Sequence, residues 1–176
     1  GLNYPGFCTK PAWMSTACVL FFERFHVESP VMKIDIAQFN LKDVPVSPDR
    51  VFNFPAGLGG FEENKRYTLF HEEGKPTVFW LQSLDDPDLC FSVVPPDLLN
   101  IEYQIELSTE DTELLQLSDP ADAIVVVIIY RDEVTNPGGS KIAANTRSPL
   151  VINGKTRIGM QKILRDVESN FVVRAR

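Results

Sequence analysis

From residue 32 onward, hydrophobic and polar residues form short runs that turn-forming residues separate. The runs are rich in β-branched and aromatic residues, which suit the half-buried surface of a pleated sheet. The predicted strands are residues 33–39, 50–54, 66–71, 77–82, 89–94, 102–107, 124–130, 141–145, 149–152 and 158–164. Pro95 and Pro96 end one of these strands, because proline cannot donate a hydrogen bond to a ladder.

Three local patterns add detail to this series of strands. Residues 124–130 are apolar without alternation, so we expect a central strand with both faces buried. Asn153 and Gly154 predict a tight turn with positive φ between two late strands. Ser108 is followed by acidic residues, which predicts a helix N-cap and a short helix ending near residues 118–120.

The pattern as a whole indicates an all-β, mainly antiparallel fold. Many short strands with one or two short helices predict a small barrel-like or roll architecture. Alternating βαβ units are not supported, because the chain lacks crossover helices.

Residues 1–31 differ from the rest of the chain, because they hold clustered aromatic residues and no turn-bounded alternation. We interpret them as an extension outside the domain, with Met32 as the native start, and residues 32–170 as a single β domain. The alternative is a short N-terminal helix or strand that docks on the domain.

Charge is distributed unevenly in this chain, whose net charge is −7. Residues 76–130 contain eleven acidic residues and no Lys, Arg or His, whereas residues 131–176 hold nine Lys or Arg against four acids. An acidic protein repels nucleic-acid phosphates but attracts a basic protein. Alternatively, the acids form an ordinary solvated face, or the basic C-terminal segment folds over them.

Candidate catalytic chemistry is sparse in the sequence. The two histidines, His26 and His71, have no ligand partner at a useful spacing, and no nucleophile elbow occurs. The glycines of residues 57–60 predict a turn, and residues 85–88 an acidic turn rather than a calcium loop. We therefore expect no enzyme activity, no cofactor and no metal.

The bulk composition points to a soluble protein of a reducing compartment. No apolar run reaches the roughly 20 residues of a membrane span. Cys8, Cys18 and Cys90 are odd in number and match no zinc pattern, so we expect reduced thiols. We expect a cytoplasmic protein, monomeric when alone, without a nucleic-acid or membrane partner.

Several motifs, in unbroken order over residues 32–164, resemble the family of the bacterial flagellar assembly factor FliW. They are Phe-Pro-Ala-Gly-Leu-Gly-Gly-Phe-Glu at 54–62, Val-Phe-Trp-Leu-Gln-Ser-Leu-Asp-Asp-Pro-Asp-Leu at 78–89 and Asn-Thr-Arg-Ser-Pro-Leu-Val-Ile-Asn-Gly-Lys-Thr-Arg at 145–157. Gly59 stands where the family usually has proline, so we expect a looser turn there. Residues 1–31 have no counterpart in the family.

This resemblance implies a non-enzymatic protein with two protein partners. One partner is flagellin, bound through its C-terminal helical region. The other is CsrA, a dimeric RNA-binding repressor of flagellin translation, which such a protein holds away from messenger RNA until flagellin displaces it.

Two sets of residues are our candidates for these contacts. Acids of the base-free stretch are the candidates for CsrA: Asp85, Asp86, Asp88, Glu102, Glu106, Glu110, Asp111 and Glu113. Large aromatic residues are the candidates for flagellin, although each is also suited to the core: Phe61, Phe79, Trp80 and Phe91. The alternative function is a small ligand-binding or hydrolytic β-barrel, which would need a deep pocket with convergent polar groups.

Overall fold

The computed structural model describes residues 31–71, 77–131 and 142–164. Ten strands and one α-helix occur in these ranges. The strands are β1 Met32–Ile36, β2 Leu41–Val46, β3 Val51–Asn53, β4 Arg66–His71, β5 Phe79–Ser83, β6 Cys90–Val94, β7 Ala123–Arg131, β8 Ile142–Ala144, β9 Leu150–Asn153 and β10 Gly159–Gln161; the helix, α1, is Thr109–Leu114. Short 3-10 turns lie at Ala37–Phe39, Pro48–Arg50, Pro96–Leu99 and Pro120–Asp122.

Eight of the strands form one antiparallel sheet that curls into a nearly closed barrel. Its order is β10-β9-β7-β6-β5-β4-β3, with β8 paired to the end of β7. The two ends of the sheet meet at Asn53, whose amide donates to the Arg157 carbonyl at 2.8 Å. At this closure a Cβ on Gly159 would lie 2.6 Å from the Phe54 ring, so only glycine fits.

Apolar side chains fill the interior of the barrel. Phe54, Tyr67, Leu81 and Val93 are fully buried there, together with Leu150. The Phe54 and Tyr67 rings meet edge to face at 5.4 Å, an arrangement that aromatic pairs prefer. Because alternate residues of a strand point to opposite faces, the remaining residues of β4–β7 face outward.

The hairpin of β1 and β2 is a separate two-stranded sheet on the outside of this barrel. Its buried residues Ile34, Ile36 and Val46 form a second core with outward-facing residues of the main sheet such as Phe70, and with Leu84, which follows β5. The hairpin therefore supplies the apolar cover for one part of the outer face.

The single described helix has the N-terminus that the sequence predicts. Ser108 accepts a hydrogen bond from the Asp111 amide, and the Asp111 carboxylate accepts one from the Ser108 amide, which completes a capping box. The C-cap of the helix is Leu115, a fully buried residue. Asn153 fixes this end, because its side-chain amide donates to the carbonyls of Leu115 and Gln116 at 3.0 Å.

The all-β, mainly antiparallel, barrel-like prediction is confirmed, and five details of it are wrong. Residues 33–39 are a shorter strand followed by a 3-10 turn, and β2 was not predicted. Residues 102–107 alternate between exposed and half-buried, yet they pair with no strand among the described residues. The alternation arises because this extended segment lies along the surface, and the Tyr103 hydroxyl anchors it to the Thr146 carbonyl at 2.7 Å.

The other two errors concern the late strands. The left-handed residue of the β9–β10 turn is Arg157, at φ 58°, and not Asn153 or Gly154. Asn153 instead shapes the turn with its side-chain oxygen, which accepts from the Lys155 and Thr156 amides. β7 is central, as predicted, but only its middle is buried, since Ile124 and Tyr130 near its ends are 49% and 53% exposed.

Candidate protein-binding surfaces

The acidic turn between β5 and β6 is an intramolecular support as well as a charged surface. Asp85 accepts hydrogen bonds from the Arg66 side chain, the closest contact being 2.6 Å, and from the backbone amides of Lys65 and Arg66. Burial alone would raise the pKa of Asp85, but these hydrogen bonds outweigh it and hold the pKa below its ordinary value. Asp85 therefore ties this turn to the start of β4.

The remaining acids of the turn have different surroundings. Asp86 accepts a hydrogen bond from the Asp88 amide at 2.9 Å, as predicted for an acidic turn. The side-chain amide of Gln82, which is fully buried, donates hydrogen bonds to the backbone carbonyls of Asp86 and Pro87. Asp88 is exposed, so its carboxylate faces solvent at the tip of the hairpin.

Four glutamates lie along the surface segment that runs from residue 101 into helix α1. They are all exposed, and none has an ion pair among the described residues: Glu102, Glu106, Glu110 and Glu113. Hydrogen bonds from its own amide and from the Ser108 hydroxyl lower the pKa of Glu110. We call these four residues the glutamate strip. At neutral pH it presents a row of negative charges to solvent.

Bases from the C-terminal part of the chain reach two acids of the base-free stretch. Lys162 donates to Asp111, and Lys155 lies 2.8 Å from Asp122. Partial burial would raise the pKa of Asp111, but the Lys162 ion pair and the capping hydrogen bonds outweigh it and lower the pKa. Although residues 76–130 contain no base, Asp85, Asp111 and Asp122 therefore each pair with a base that is distant in sequence.

The four aromatic candidates are spread over both faces of the sheet. Phe79 and Phe91 pack against the interior core, and Phe61, 41% exposed, meets Phe91 edge to face at 5.2 Å. Trp80 is half-buried on the outer face and meets Phe39 of the hairpin edge to face at 5.1 Å. The structure therefore does not bring the four together as one surface.

An apolar groove of about 290 Å³ lies on the outer face beside Trp80. In register across β5, β6 and β7, Trp80, Ser92 and Ile129 are neighbours, so the small Ser92 forms a floor between two large side chains. The groove is lined by Thr77, Val78, Trp80, Ser92, Ile129, Tyr130, Arg131 and Ile142. Only Arg131 among these residues is charged.

Most of the groove was missed by the sequence analysis. Residues 124–130 indicated a strand buried on both faces, whereas Ile129 and Tyr130 line an open groove and Ile142 is 65% exposed. The available signal was Arg131, a charged residue directly after an apolar run, which marks the point where burial ends.

Features of other functional classes are not visible in the described residues. They contain no group of three or more His, Cys, Asp or Glu side chains arranged to hold a metal ion. Cys90 is a free thiol whose pKa burial raises to about 12, and Cys8 and Cys18 lie outside the described residues. The same is true of His26 and residues 1–30. None of the described helices is long and apolar enough to cross a membrane.

The barrel interior offers little support for the alternative of a ligand-binding or hydrolytic barrel. A cluster of buried apolar side chains occupies it, and the groove beside Trp80 lies outside the barrel. The hydroxyl of Tyr67 is buried without a hydrogen-bond partner among the described residues, and burial raises its pKa to about 12. A neutral phenol surrounded by aromatic rings does not form a set of convergent polar groups.

Comparisons with known proteins match most of this chain to one protein family. A family profile described as FliW protein matches residues 35–175. A flagellar assembly factor FliW of Azoarcus sp. (strain BH72) is 45% identical over 147 residues, covering 82% of this chain and 99% of that protein. A flagellar assembly factor FliW of Chromobacterium violaceum is 41% identical over 137 residues, covering 74% and 92%.

A solved structure agrees with the sequence relatives. A crystal structure of the flagellar assembly factor FliW superimposes with a TM-score of 0.66 and 27% identity, covering 78% of this chain and 92% of the other.

Proposed function

Because the chain belongs to the FliW family of flagellar assembly factors, we propose that it acts in the cytoplasm by binding flagellin and CsrA in alternation. It is a protein-binding regulator and chaperone without enzyme activity. While CsrA is bound to this protein, it does not bind messenger RNA. Flagellin binding displaces CsrA and so releases it. The observation that carries the CsrA contact is the glutamate strip, which has no base partner among the described residues.

The glutamate strip supports this proposal through electrostatics. A row of exposed carboxylates attracts a basic RNA-binding protein and raises the association rate by roughly tenfold or more. The same charges repel RNA phosphates from the neighbouring surface of the complex. Among the candidate acids, Asp85 and Asp111 act mainly in folding, because each is held by a base of its own chain. Asp86 and Asp88 remain secondary candidates at the edge of the β5–β6 turn.

Charge reversal tests this part of the proposal. The triple variant Glu102→Lys, Glu106→Lys and Glu113→Lys leaves the capping box of α1 intact, since Ser108 and Asp111 are unchanged. A matched control reverses three exposed acids elsewhere, Asp43, Asp49 and Glu63, and changes the net charge equally. Purified CsrA is titrated against each protein at several salt concentrations.

The two variants are expected to differ. The strip variant loses affinity for CsrA and shows a flatter salt dependence, because its long-range attraction is removed. The control keeps most of the affinity. Equal affinity and an equal salt slope in both variants and in the wild type would rule out the strip as the CsrA contact.

Flagellin binding is tested in the same assay. The proposal expects that a C-terminal helical segment of flagellin binds the wild-type chain and displaces CsrA from a preformed complex. Stable coexistence of all three proteins would contradict alternation, and absence of any flagellin binding would remove flagellin as a partner.

A further inference from the structure

The groove beside Trp80 is a part of the outer face that the described residues leave open. On the other side of Trp80, the hairpin places Phe39 against both Trp80 and Phe70, with ring centroids 5.1 and 5.8 Å apart. The apolar outer face therefore continues from a covered part to an open part. Ile142 and Tyr130 at the rim are 65% and 53% exposed.

The dimensions of the groove restrict its occupant. A cavity of about 150 Å³ accepts one benzene-sized group, so a groove of about 290 Å³ accepts about two large apolar side chains. This lies at the lower end of the usual range for small-molecule ligands, which is about 300–1,000 Å³. Two anchors projecting from one face of a partner helix fit this space, since side chains three or four residues apart lie on the same helix face.

The charge at the groove adds a second restriction. Arg131 is exposed at the rim, and none of the described residues that line the groove with it is acidic. Among the described residues Arg131 has no ion pair. A guanidinium at the edge of an apolar surface selects a carboxylate, which it can bind with two parallel hydrogen bonds.

We propose that this groove is the seat of the flagellin helix: two apolar anchors enter beside Ser92, between Trp80 and Ile129, and an acidic residue within one turn of them pairs with Arg131. The proposal rests on flagellin binding as proposed above and adds its location, orientation and charge requirement. Of the earlier aromatic candidates it retains Trp80. The CsrA contact lies on different residues, those of the glutamate strip.

Two isoleucines of similar exposure provide a matched test. Ile142 at the rim is 65% exposed, and Ile163, which does not line the groove, is 67% exposed. Glutamate at either position adds one negative charge to the surface and removes no core contact. The probe is a synthetic C-terminal helical segment of flagellin, titrated against the full chain. Ile142→Glu should weaken binding roughly tenfold or more, as expected for a buried anchor contact, and Ile163→Glu should leave it nearly unchanged.

Charge exchange tests the Arg131 contact independently. Arg131→Glu should weaken binding several-fold, and changing one acidic residue of the probe to Lys should restore affinity to this variant while weakening binding to the wild type. Rescue at one position of the probe would fix the orientation of the helix. CsrA affinity serves as the folding control for both rim variants and should remain that of the wild type.

The outcomes separate this inference from the proposed function. If the wild type binds the probe and Ile142→Glu binds it equally well, the groove is not the seat, although flagellin remains a partner. If Ile142→Glu or Arg131→Glu alters self-association in sedimentation without altering probe affinity, the groove holds a second copy and the inference is wrong. Tighter binding by Ile142→Glu would indicate that a segment of the chain itself occupies the groove. If the wild type does not bind the probe, the flagellin part of the proposed function fails together with this inference.

Discussion

The outer face of the sheet contains two apolar regions that differ in what covers them. The region around Phe70 lies under the β1–β2 hairpin and forms a core with Ile34 and Ile36. The region around Ser92 and Ile129 is an open groove. Phe70, Trp80, Ser92 and Ile129 are register neighbours across four strands, so one row of residues passes from the covered region to the open one.

The covered region therefore contributes to the stability of the fold, whereas the open region is available to bind a partner. Apolar side chains under the hairpin are removed from water and contribute to folding, by about 25 cal/mol for each Å² buried. Equivalent side chains in the groove gain this energy only when a partner covers them. Trp80 belongs to both regions, since it contacts Phe39 and lines the groove. The comparison can be tested by removing side chains from one region at a time.

The largest effect is expected for Ile36→Ala under the hairpin. Ile36 is 3% exposed, and truncation of a buried isoleucine to alanine costs about 2–5 kcal/mol. Urea denaturation of the variant should show a corresponding fall in the free energy of unfolding. A loss below about 1 kcal/mol would mean that the hairpin contributes little to the stability of the domain.

A smaller effect is expected for Phe39→Ala at the border of the two regions. Each edge-to-face ring pair contributes about 0.5–1.5 kcal/mol beyond burial, so losing the pairs with Phe70 and Trp80 should cost about 2 kcal/mol. In a Trp13→Phe background, where Trp80 is the remaining tryptophan, its emission should move to longer wavelength. Phe39→Leu, which keeps most of the volume, is the control, and identical emission in both variants would argue against the contact.

A pH-dependent effect is expected at the turn that supports the hairpin. The Ala37 amide of the hairpin donates to the Pro87 carbonyl, and Asp85 fixes the same turn to Arg66. The pKa of Asp85 is lowered in the folded state. Its stabilisation is therefore present above the unfolded pKa of about 3.9 and is lost as the pH falls through the lower folded value.

The corresponding variant is Asp85→Asn. At neutral pH it should be less stable than the wild type by about 1–3 kcal/mol, the usual range for hydrogen bonds to a charged group, and the difference should shrink below about pH 4. Asp88→Asn, at an exposed position of the same turn, should have the same free energy of unfolding as the wild type at neutral pH and at low pH. A difference for Asp85→Asn that stays constant down to pH 2 would contradict the role of its charge.

The smallest effect is expected for Ile142→Ala in the open region. Its side chain is 65% exposed, and substitutions at such positions usually change stability by less than about 0.5 kcal/mol. The same denaturation experiment as for Ile36→Ala measures it. A loss above about 1 kcal/mol would show that Ile142 is part of a covered core, which would remove the distinction between the two regions.

Local sequence signals predicted the elements whose hydrogen bonds are made nearby. The capping box of Ser108 and Asp111 needs only residues three positions apart, and the end of β6 at Val94 follows from the two prolines after it. Residues 102–107 show the limit of such signals. The structure shows the predicted alternation of exposed and half-buried residues in this segment. Alternation, however, indicates only which side chains face the protein. A strand also needs a neighbouring strand to pair with, and this segment has none among the described residues.

The candidate surfaces required information that the chain supplies only after folding. Asp85 and Asp111 stand in a stretch without bases, yet Arg66 and Lys162 reach them from other strands and connections. Gly59 was expected to loosen its turn, but its amide donates to Gln161 at 2.8 Å, a bond that proline could not make. Spacing along the chain cannot reveal partners that lie many residues away.

Fluorescence of Trp80 tests the central claim most directly. In the Trp13→Phe background, a tryptophan-free flagellin C-terminal segment is titrated into the full chain while emission and binding are recorded together. Occupation of the groove should shift Trp80 emission to shorter wavelength, with saturation at one segment per chain, and Ile142→Glu should abolish the shift at the same concentrations. Saturable binding of the segment with unchanged Trp80 emission would contradict the account.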